Sequence, residues 1–383
     1  MSETQKHTKP NVPNLRFPGF EGEWESFALG QLCEEFQSGK GIKSDQIKDL
    51  GSYPVYGGNG LRGYTDSYNH EGVYTLIGRQ GAKCGNVRLV SGRTYITEHA
   101  VAVKANQANV TEFLNWLFIK MDLGQYSDQS AQPGLAVNKL VRLNAFVPKK
   151  EEQKRIADLM TLIDARIAIQ NKVIEDCNTL EKEIQNQVFD KIHAPLVPLS
   201  SISQRITERN SALESDNVLT ISAREGLVSQ LEFFKKFVAS ENLSNYFLLH
   251  KGDFAYNKSY SSDYPWGAIK HLERYDTGVL SPLYFCFRPN KEMVDTRYLQ
   301  FFFDTKLWHK HIVNIAVEGA RNHGLLNMAV GDFYTMPILL PTMNEQLAIA
   351  EKLSAIRRKK VAEESIYRLF LQQKRYLLEK LFV

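Results

Sequence analysis

The chain has 383 residues, of which 43% are hydrophobic and 23% charged, and its formal net charge is +4. This length exceeds what one hydrophobic core usually needs and favours two domains, while the composition is that of an ordinary globular protein. No apolar run reaches the roughly 18 residues that a membrane span needs, so the sequence predicts no membrane association.

The N-terminal stretch 1–13 has no apolar segment typical of a signal peptide and predicts a solvated, disordered tail. The chain has four cysteines with no C-x-x-C spacing, at Cys33, Cys84, Cys177 and Cys286. This spacing predicts reduced thiols rather than disulfides or metal ligands, and therefore a cytoplasmic protein without a metal site.

The first globular segment contains a glycine triplet. The stretch "YGGNGLRGY" has the pattern G-x-G-x-x-G at Gly58, Gly60 and Gly63. A dinucleotide site needs this triplet between a strand and the N-terminus of a helix. The residues that follow lack helical periodicity, so we interpret the stretch as a flexible surface loop rather than a cofactor site.

Loops in both globular segments combine glycine with amides, hydroxyls and cations, as in "IGRQGAKCGN", "YNKSYSSDYPWG" and "EGARNHGLLN". Arg and Lys suit guanine, Asn and Gln suit adenine, and glycine permits close backbone approach. An ordinary polar surface remains an open alternative. The residues predicted to contact DNA are Arg62, Arg79, Gln80, Lys83, Asn86, Asn257, Lys258, Ser259, Tyr260, Arg321, Asn322 and His323.

Each globular segment is followed by a long stretch without glycine or proline in which apolar residues recur at heptad positions. Polar residues interrupt both seams, and such residues more often set register and partner than add stability. The predicted seam consists of Ile156, Met160, Ile163, Ile167, Ile174, Cys177 and Ile184 in the first stretch, and of Ile349, Leu353, Ile356, Tyr367, Phe370 and Leu377 in the second.

The two helical stretches are copies of one another. "PKKEEQKRIADLMTLID" begins at Pro148 and "PTMNEQLAIAEKLSAIR" at Pro341, an offset of 193 residues (341 minus 148). Such an offset is too long for a solenoid unit and indicates a duplicated domain. More weakly, "VTEFLNWLF" resembles "DTRYLQFFF" upstream of each copy. The sequence therefore predicts two α+β globular units, each followed by a long helix.

Charge favours pairing between the two helices. Residues 151–194 carry six basic and nine acidic side chains, whereas residues 342–383 carry nine basic and five acidic ones. If the duplication is a pseudo-two-fold one, the helices run antiparallel as a coiled coil of about 60 Å, with a globular unit at each end. Two amphipathic helices packed separately on their own domains remain an alternative.

Catalytic motifs are missing from the sequence. It contains no G-x-x-x-x-G-K-[ST] phosphate loop, and no Asn/Asp-Pro-Pro-aromatic loop of the kind that holds a flipped adenine. Residues 1–150 carry 17 basic and 14 acidic side chains, and residues 195–341 carry 15 of each. The sequence therefore predicts a non-catalytic protein, and a partner that supplies much of any contact to phosphate.

The opening "VPNLRFPGFEGEWESFALGQL" and the two helical copies resemble the specificity subunits of type I restriction–modification systems, and "YPVYGGNGLRGY" and "GRQGAKCGNV" resemble loops of their target recognition domains. The resemblance implies a disordered tail over 1–13, target recognition domains over 14–148 and 195–341, and conserved helical regions over 149–192 and 342–383.

The resemblance also implies a function. Each recognition domain would bind one half of a bipartite, asymmetric target in double-stranded DNA, and two modification subunits would dock on the helices. Those subunits would bring S-adenosylmethionine, and restriction subunits would bring ATP and Mg, so that this chain holds no cofactor. Two alternatives stay open: a catalytic DNA adenine methyltransferase, and a coiled-coil adaptor that does not contact DNA.

Overall fold

A computed structural model describes residues 11–81, 83–128, 134–222, 225–234, 242–259, 264–316 and 325–383. The chain forms two compact units. Unit 1 consists of Met1–Lys172 together with Glu364–Val383, and unit 2 consists of Val173–Glu363. Both units combine helices with largely antiparallel sheets, in agreement with the predicted α+β class.

Unit 1 is built on a six-stranded sheet in the order β2-β7-β5-β6-β3-β4, beside a separate antiparallel pair, β1 with β8. Its strands are β1 Glu25–Ala28, β2 Cys33–Ser38, β3 Tyr53–Gly57, β4 Gly60–Thr65, β5 His70–Gly78, β6 Val87–Ile96, β7 Ala100–Ala105 and β8 Asn144–Val147. Its helices are α1 Thr111–Met121, α2 Val137–Leu140 and the first part of α3 Lys150–Lys191, with short 3-10 helices at Leu29–Leu32, Ser44–Gln46 and Leu123–Tyr126.

The glycine triplet lies in a β-hairpin, so its interpretation as a flexible surface loop is wrong. β3 and β4 pair from Tyr53 opposite Thr65 to Gly57 opposite Gly60. Gly60 has a φ of +109°, which favours glycine over other residues. β3 also pairs in parallel with β6, a long-range contact that no local pattern predicts. The strand β5 follows the hairpin, so the triplet does not lead into a helix.

The core of unit 1 joins the sheet to both long helices. Phe113 of α1 packs with Ile156 and Met160 of α3, and the same cluster contains Leu381 and Phe382 from the end of the chain. The rings of Phe113 and Phe382 stack with centroids 5.5 Å apart. Aromatic side chains supply much of this burial, because each removes a large apolar area from water.

The N-terminal segment also belongs to this core. Trp24 is 2% exposed and contacts the rings of Phe113 and Phe382 edge-on. Arg16 binds the buried carboxylate of Glu152 through two hydrogen bonds of 2.9 and 2.8 Å. This bidentate ion pair ties the segment before β1 to the first turn of α3.

Unit 2 contains a four-stranded sheet in the order β10-β17-β14-β15, and three antiparallel pairs, β9 with β18, β11 with β12, and β13 with β16. Its strands are β9 Leu196–Pro198, β10 Ser203–Arg205, β11 Leu219–Ser222, β12 Gly226–Ser229, β13 Phe247–His250, β14 Phe254–Asn257, β15 Ala268–His271, β16 Thr277–Leu280, β17 Phe285–Pro289 and β18 Pro337–Leu339. Its shorter helices are α4 Leu199–Ile202, α5 Gln230–Phe234, α6 Thr296–Phe303, α7 His309–Ile315 and α8 Val330–Tyr334, and the second long helix is α9 Met343–Lys380.

The main core of unit 2 is rich in aromatic rings. Phe189 near the end of α3 packs on Tyr298 and Phe302 of α6 at centroid distances of 5.7 and 6.1 Å. Leu353 of α9 lies in the same buried cluster. Asp295 caps α6, because its side chain accepts hydrogen bonds from two backbone N–H groups of the first turn.

The start of α9 has a capping box. Glu345 accepts hydrogen bonds from the backbone N–H and the hydroxyl of Thr342, at 2.9 and 2.7 Å, and its own N–H donates back to that hydroxyl. Every residue predicted for the seam of the two long helices is buried or partly buried. Within the described ranges, no helix has the length and hydropathy required to cross a membrane.

Candidate nucleic-acid interface

Four segments of unit 1 converge: residues 38–41, 57–60, 78–81 and 97–99, here called the glycine-loop cluster. Backbone hydrogen bonds join them. The N–H of Lys40 donates to the carbonyl of Ile96 at 3.0 Å, and the N–H of Arg79 donates to the carbonyl of His99 at 3.0 Å. The turns that follow β2, β3, β5 and β6 therefore form one surface.

Glycine is required in this cluster because the backbones approach closely. A Cβ added at Gly58 would lie 2.6 Å from the carbonyl oxygen of His99, and one at Gly78 would lie 2.6 Å from the oxygen of Gly58. A Cβ at Gly39 would overlap the oxygen of Ile96. Any side chain at these positions would force the segments apart, so the glycines give the surface a defined shape.

Arg79 anchors the cluster. Its Nη1 donates to the hydroxyl of Ser38 at 2.9 Å and its Nε donates to the carbonyl of Leu135 at 3.3 Å. The N–H of Leu135 donates back to the carbonyl of Arg79 at 2.9 Å. The contact between Arg79 and a base that the sequence predicts would depend on its remaining N–H groups.

Gln80 is exposed and lies beside a histidine that the sequence did not single out. The Oε1 atom of Gln80 is 2.9 Å from Nδ1 of His99, and Nε2 of His99 is 3.3 Å from Oε1 of Glu98. The adjacent amide and imidazole present both donors and acceptors at the surface. Such groups suit the edge of a base pair, and an amide in particular suits adenine.

Other strands and turns of unit 1 carry exposed polar and cationic side chains. Arg62 on β4 and Lys83 and Asn86 in the β5–β6 loop are exposed, as the sequence predicts. None of their side chains forms a hydrogen bond or ion pair with another residue that the structure describes. Arg88 of β6 and Lys40 after β2 are also exposed. Unpaired cations on one surface favour phosphate contact.

Sequence reasoning did not identify His99, Arg88 and Lys40 as candidates. Each belongs to a different strand or turn, and none lies in the glycine-rich motifs. Only the packing of the strands places His99 beside Gln80, Arg88 beside Gly60 and the backbone of Lys40 beside Ile96. No local pattern in the sequence predicts this grouping.

The corresponding candidates of unit 2 follow strand β14. Asn257 accepts a hydrogen bond from the backbone N–H of Ser259 at 3.0 Å. Lys258 is partly buried, with its Nζ 4.7 Å from the centroid of the Phe285 ring, and burial lowers the pKa of this amine. The amine therefore lies against a ring of the core in a cation–π contact.

A second segment of unit 2 meets this loop. Ser259 pairs with Leu325, and the N–H of Leu326 donates to the carbonyl of Lys258 at 3.0 Å. The remaining residues predicted to contact DNA, Tyr260, Arg321, Asn322 and His323, lie outside the described residues.

The chemistry of these surfaces is that of recognition. Within the parts of the chain that the structure describes, no three His, Cys, Asp or Glu side chains group as metal ligands. The thiols are unpaired in all four cysteines, and burial raises the pKa of Cys33 to about 12. The side chains of the glycine-loop cluster can donate to and accept from base edges and phosphates, which is the chemistry of sequence-specific DNA binding.

Comparison with known proteins identifies relatives that match part of the chain. Residues 21–188 match the family model of the type I restriction modification DNA specificity domain. A segment of 154 residues is 40% identical to the type I restriction enzyme EcoprrI specificity subunit of Escherichia coli. Another of 150 residues is 21% identical to the putative type I restriction enzyme specificity subunit S.HindORF215P of Haemophilus influenzae. The matches span 39% and 38% of this chain and 38% of the length of each relative.

The whole fold also resembles a solved structure. The crystal structure of the S subunit of a type I restriction–modification system from M. genitalium matches with a TM-score of 0.66 over 97% of this chain and 99% of that chain. The sequence identity is 15%, so this likeness concerns the fold. The match to the family model is confined to residues 21–188.

Proposed function

We propose that this protein is the DNA sequence-recognition subunit of a type I restriction–modification complex, with one target recognition domain in each unit. The observation that carries the proposal is a loop construction found in both units. Gln80 pairs with Gly134 in unit 1, and Ser259 pairs with Leu325 in unit 2. In unit 1 the N–H of Leu135 donates to the carbonyl of Arg79 at 2.9 Å. In unit 2 the N–H of Leu326 donates to the carbonyl of Lys258 at 3.0 Å.

An internal repeat is part of this proposal, and the strand order supports it. Four strands of unit 1 follow the order β2-β7-β5-β6, and four strands of unit 2 follow the order β10-β17-β14-β15. In both sheets the second strand of the unit pairs with the second-last strand, and that strand pairs with the first of two consecutive strands, β5 and β6 or β14 and β15. Each unit also pairs its first strand with its last, β1 with β8 and β9 with β18. Two equivalent domains suit a target with two half-sites.

We further propose that α3 and α9 pair as an antiparallel coiled coil. In unit 1, Asp164 of α3 binds Lys374 of α9 at 2.6 Å. In unit 2, Glu181 of α3 binds Arg357 and Lys360 of α9 at 3.0 and 2.9 Å. Between these contacts α3 advances by 17 residues (164 to 181) and α9 goes back by 17 (374 to 357), as antiparallel helices require.

The distribution of charge in these ion pairs also favours α9 over a second copy of α3 as the partner of α3. In both units the acid comes from α3 and the base from α9. The positions are related by the offset of the repeat, because Asp164 corresponds to Arg357 and Glu181 to Lys374 (each 193 residues apart). Two copies of α3 paired in the same register would bring Asp164 opposite Glu181, and like charges would repel. The polar seam positions thus favour α3 with α9 within one chain.

Partners and cofactors complete the proposal. Two modification subunits, docked on the long helices, supply S-adenosylmethionine and transfer a methyl group to adenine, and restriction subunits supply the ATP- and Mg-dependent steps. This chain contributes sequence recognition in double-stranded DNA and no catalytic group. The free state of all four thiols supports a cytoplasmic location.

Methylation should require a partner subunit. We expect the purified chain to transfer no methyl group to DNA when S-adenosylmethionine is supplied, and to direct adenine methylation at bipartite sites once a modification subunit is added. Methyl incorporation in vitro and methylome sequencing in cells measure the two results. Transfer by the chain alone, in a preparation free of other methyltransferases, would contradict the proposed function, as would sequence-independent methylation by the complex.

The two half-sites should be separable by mutation. Changing Gln80 and His99 to Ala should relax one half-site, and changing Asn257 and Ser259 to Ala should relax the other. Each lost base contact costs about 1–3 kcal/mol, which appears in a methylome as a degenerate position. Lys251→Ala serves as a control, because this exposed lysine pairs with exposed Asp276. Equal effects on both half-sites would mean that these residues contact only phosphate.

A further inference from the structure

One buried glutamine at the start of each long helix makes the same set of contacts in both units. Gln153 is 1% exposed, and Gln346 is also 1% exposed. Each belongs to the Glu-Gln pair that the two copies share. The glutamates of the two pairs have different roles, since Glu152 binds Arg16 and Glu345 caps its own helix. Only the glutamines are used in the same way.

In unit 1, Gln153 joins three parts of the recognition domain. Its Oε1 accepts from the N–H of Val110 at 3.0 Å, at the N-cap of α1. Its Nε2 donates to Oδ1 of Asn109 at 2.8 Å and to the carbonyl of Pro148 at 2.9 Å. The amide group therefore links the first turn of α3 to the start of α1 and to the residue that follows β8.

In unit 2, Gln346 repeats this arrangement. Its Oε1 accepts from the N–H of Asp295 at 2.9 Å, at the N-cap of α6. Its Nε2 donates to the carbonyl of Met293 at 3.1 Å and to that of Pro341 at 2.9 Å. The acceptor and one donor are thus used on equivalent backbone groups, while the second donor reaches a side-chain oxygen of Asn109 in unit 1 and the backbone carbonyl of Met293 in unit 2. The amide has no hydrogen-bonding capacity left except the second lone pair of its oxygen.

We propose that Gln153 and Gln346 are positioning residues that fix the angle of each recognition domain on its long helix and so restrict the gap between the two half-sites to one length. The proposal rests on the proposed function. Between α6 and α9 there are also a half-exposed ion pair, Arg297 with Glu351 at 3.5 Å, and a cation–π contact of Arg357 over the ring of Phe301 at 4.5 Å. The buried clusters that hold α1 on α3 and α6 on α9 are otherwise apolar, and apolar contact is non-directional. Three buried hydrogen bonds are directional and oppose rocking of the domain. One base pair advances the duplex by only about 3.4 Å, so a small rocking motion would admit a different gap.

The test uses the full chain assembled with its modification subunits. In the double variant Gln153→Met and Gln346→Met the side chains keep their length but lose the hydrogen bonds. We expect the half-site bases to stay unchanged, while discrimination against targets whose gap is one base pair longer or shorter falls about tenfold, which corresponds to about 1.4 kcal/mol. Methylome sequencing measures the distribution of gaps directly.

Gln300→Met is the matched control. Gln300 is also buried, at 4% exposed, but its hydrogen bonds to His271, Ile269 and Asp304 stay within the recognition domain of unit 2. The Gln300→Met variant should lower the urea midpoint of unfolding by about as much as the double variant does. Its methylated targets should nevertheless keep one gap length. A milder second variant, Asn109→Ala, removes one acceptor of Gln153 and should relax the gap in the same direction to a smaller extent.

Different results of these experiments would overturn the role of the two glutamines and the proposed function. A folded double variant that methylates only the original gap would overturn the role of the two glutamines, and so would a Gln300→Met variant that relaxes the gap equally. If the double variant does not fold, an unchanged gap in folded Asn109→Ala overturns it. A wild-type complex without sequence-specific methylation would instead overturn the proposed function.

Discussion

Replacing Arg357 with methionine should lower the free energy of unfolding of unit 2 by about 2–3 kcal/mol. Arg357 bridges two carboxylates, since its Nη2 lies 3.0 Å from Oε1 of Glu181 and 3.0 Å from Oδ2 of Asp304. Their side chains are 10% and 16% exposed, so removing the guanidinium leaves buried charge with fewer partners. Lys360 and Lys270 each retain one contact, which limits the loss.

Urea denaturation measures this change, and Arg358→Met is the control. Arg358 is the next residue along the helix but is 64% exposed and pairs with exposed Glu351. A surface pair of this kind contributes little, so the control should change the free energy of unfolding by less than about 0.5 kcal/mol. Equal losses in the two variants would show that burial of the network does not matter.

The loss of stability on acidification tests the same network of ion pairs in a second way. Burial by itself would raise the pKa of Asp304, but the nearby Lys270 and Arg357 outweigh it and lower the pKa below its ordinary value. A carboxyl with a lowered pKa stabilises the fold above the pKa of the unfolded chain, about 4. This contribution is lost as the pH falls through the folded-state value. The Arg357→Met variant should therefore lose less stability than the wild type on acidification below about pH 4.

Lengthening both long helices should lengthen the gap in the target and leave the half-sites unchanged. One heptad inserted near Gln170 and one near Glu363, positions 193 residues apart (363 minus 170), preserves the seam and the register. Seven residues add about 10 Å of helix, and DNA advances about 3.4 Å per base pair. The gap should grow by up to about three base pairs.

Rotation of the duplex limits this variant. Three base pairs turn the second half-site by about a third of a turn, which twisting of the helices or bending of the DNA must absorb, so we expect weaker methylation. Methylome sequencing of cells that carry the lengthened chain measures both the gap and the activity. A heptad in one helix alone should abolish activity through loss of register. An active double insertion with the original gap would mean that the helices do not set the spacing.

Local sequence patterns were enough to predict the long helices. The first was predicted over 149–192 and extends over Lys150–Lys191. Heptad spacing, the lack of glycine and proline, and acidic residues in the first turn all depend on neighbours within a few turns. The capping box of Thr342 and Glu345 likewise involves residues only three positions apart.

Contacts between distant strands were not predictable in this way. The hairpin around Gly58 was interpreted as a loop because no helical pattern follows the glycine triplet, and the parallel pairing of β3 with β6, some 40 residues later, leaves no local signal. Likewise, Arg79 was selected for DNA from its residue type, but its donors reach Ser38 and Leu135. His99 lies beside Gln80 only after β5, β6 and β7 have paired. Side-chain roles at the candidate interface therefore follow from strand pairing rather than from composition.

During synthesis the core of unit 1 can be completed only late. Its core requires the last residues of the sequence, since Phe382 packs on Trp24 and Phe113, and the N–H of Leu15 donates to the carbonyl of Lys380 at 2.8 Å. Those residues leave the ribosome only after the 191 residues of Val173–Glu363, which takes about 10–40 s at 5–20 residues per second. During that time the first apolar side chains to emerge lack their final partners and are available to chaperones. A translation product that stops before Lys380–Phe382 would keep them exposed, so the surface that quality control recognises is hidden only after this part of the chain has been made.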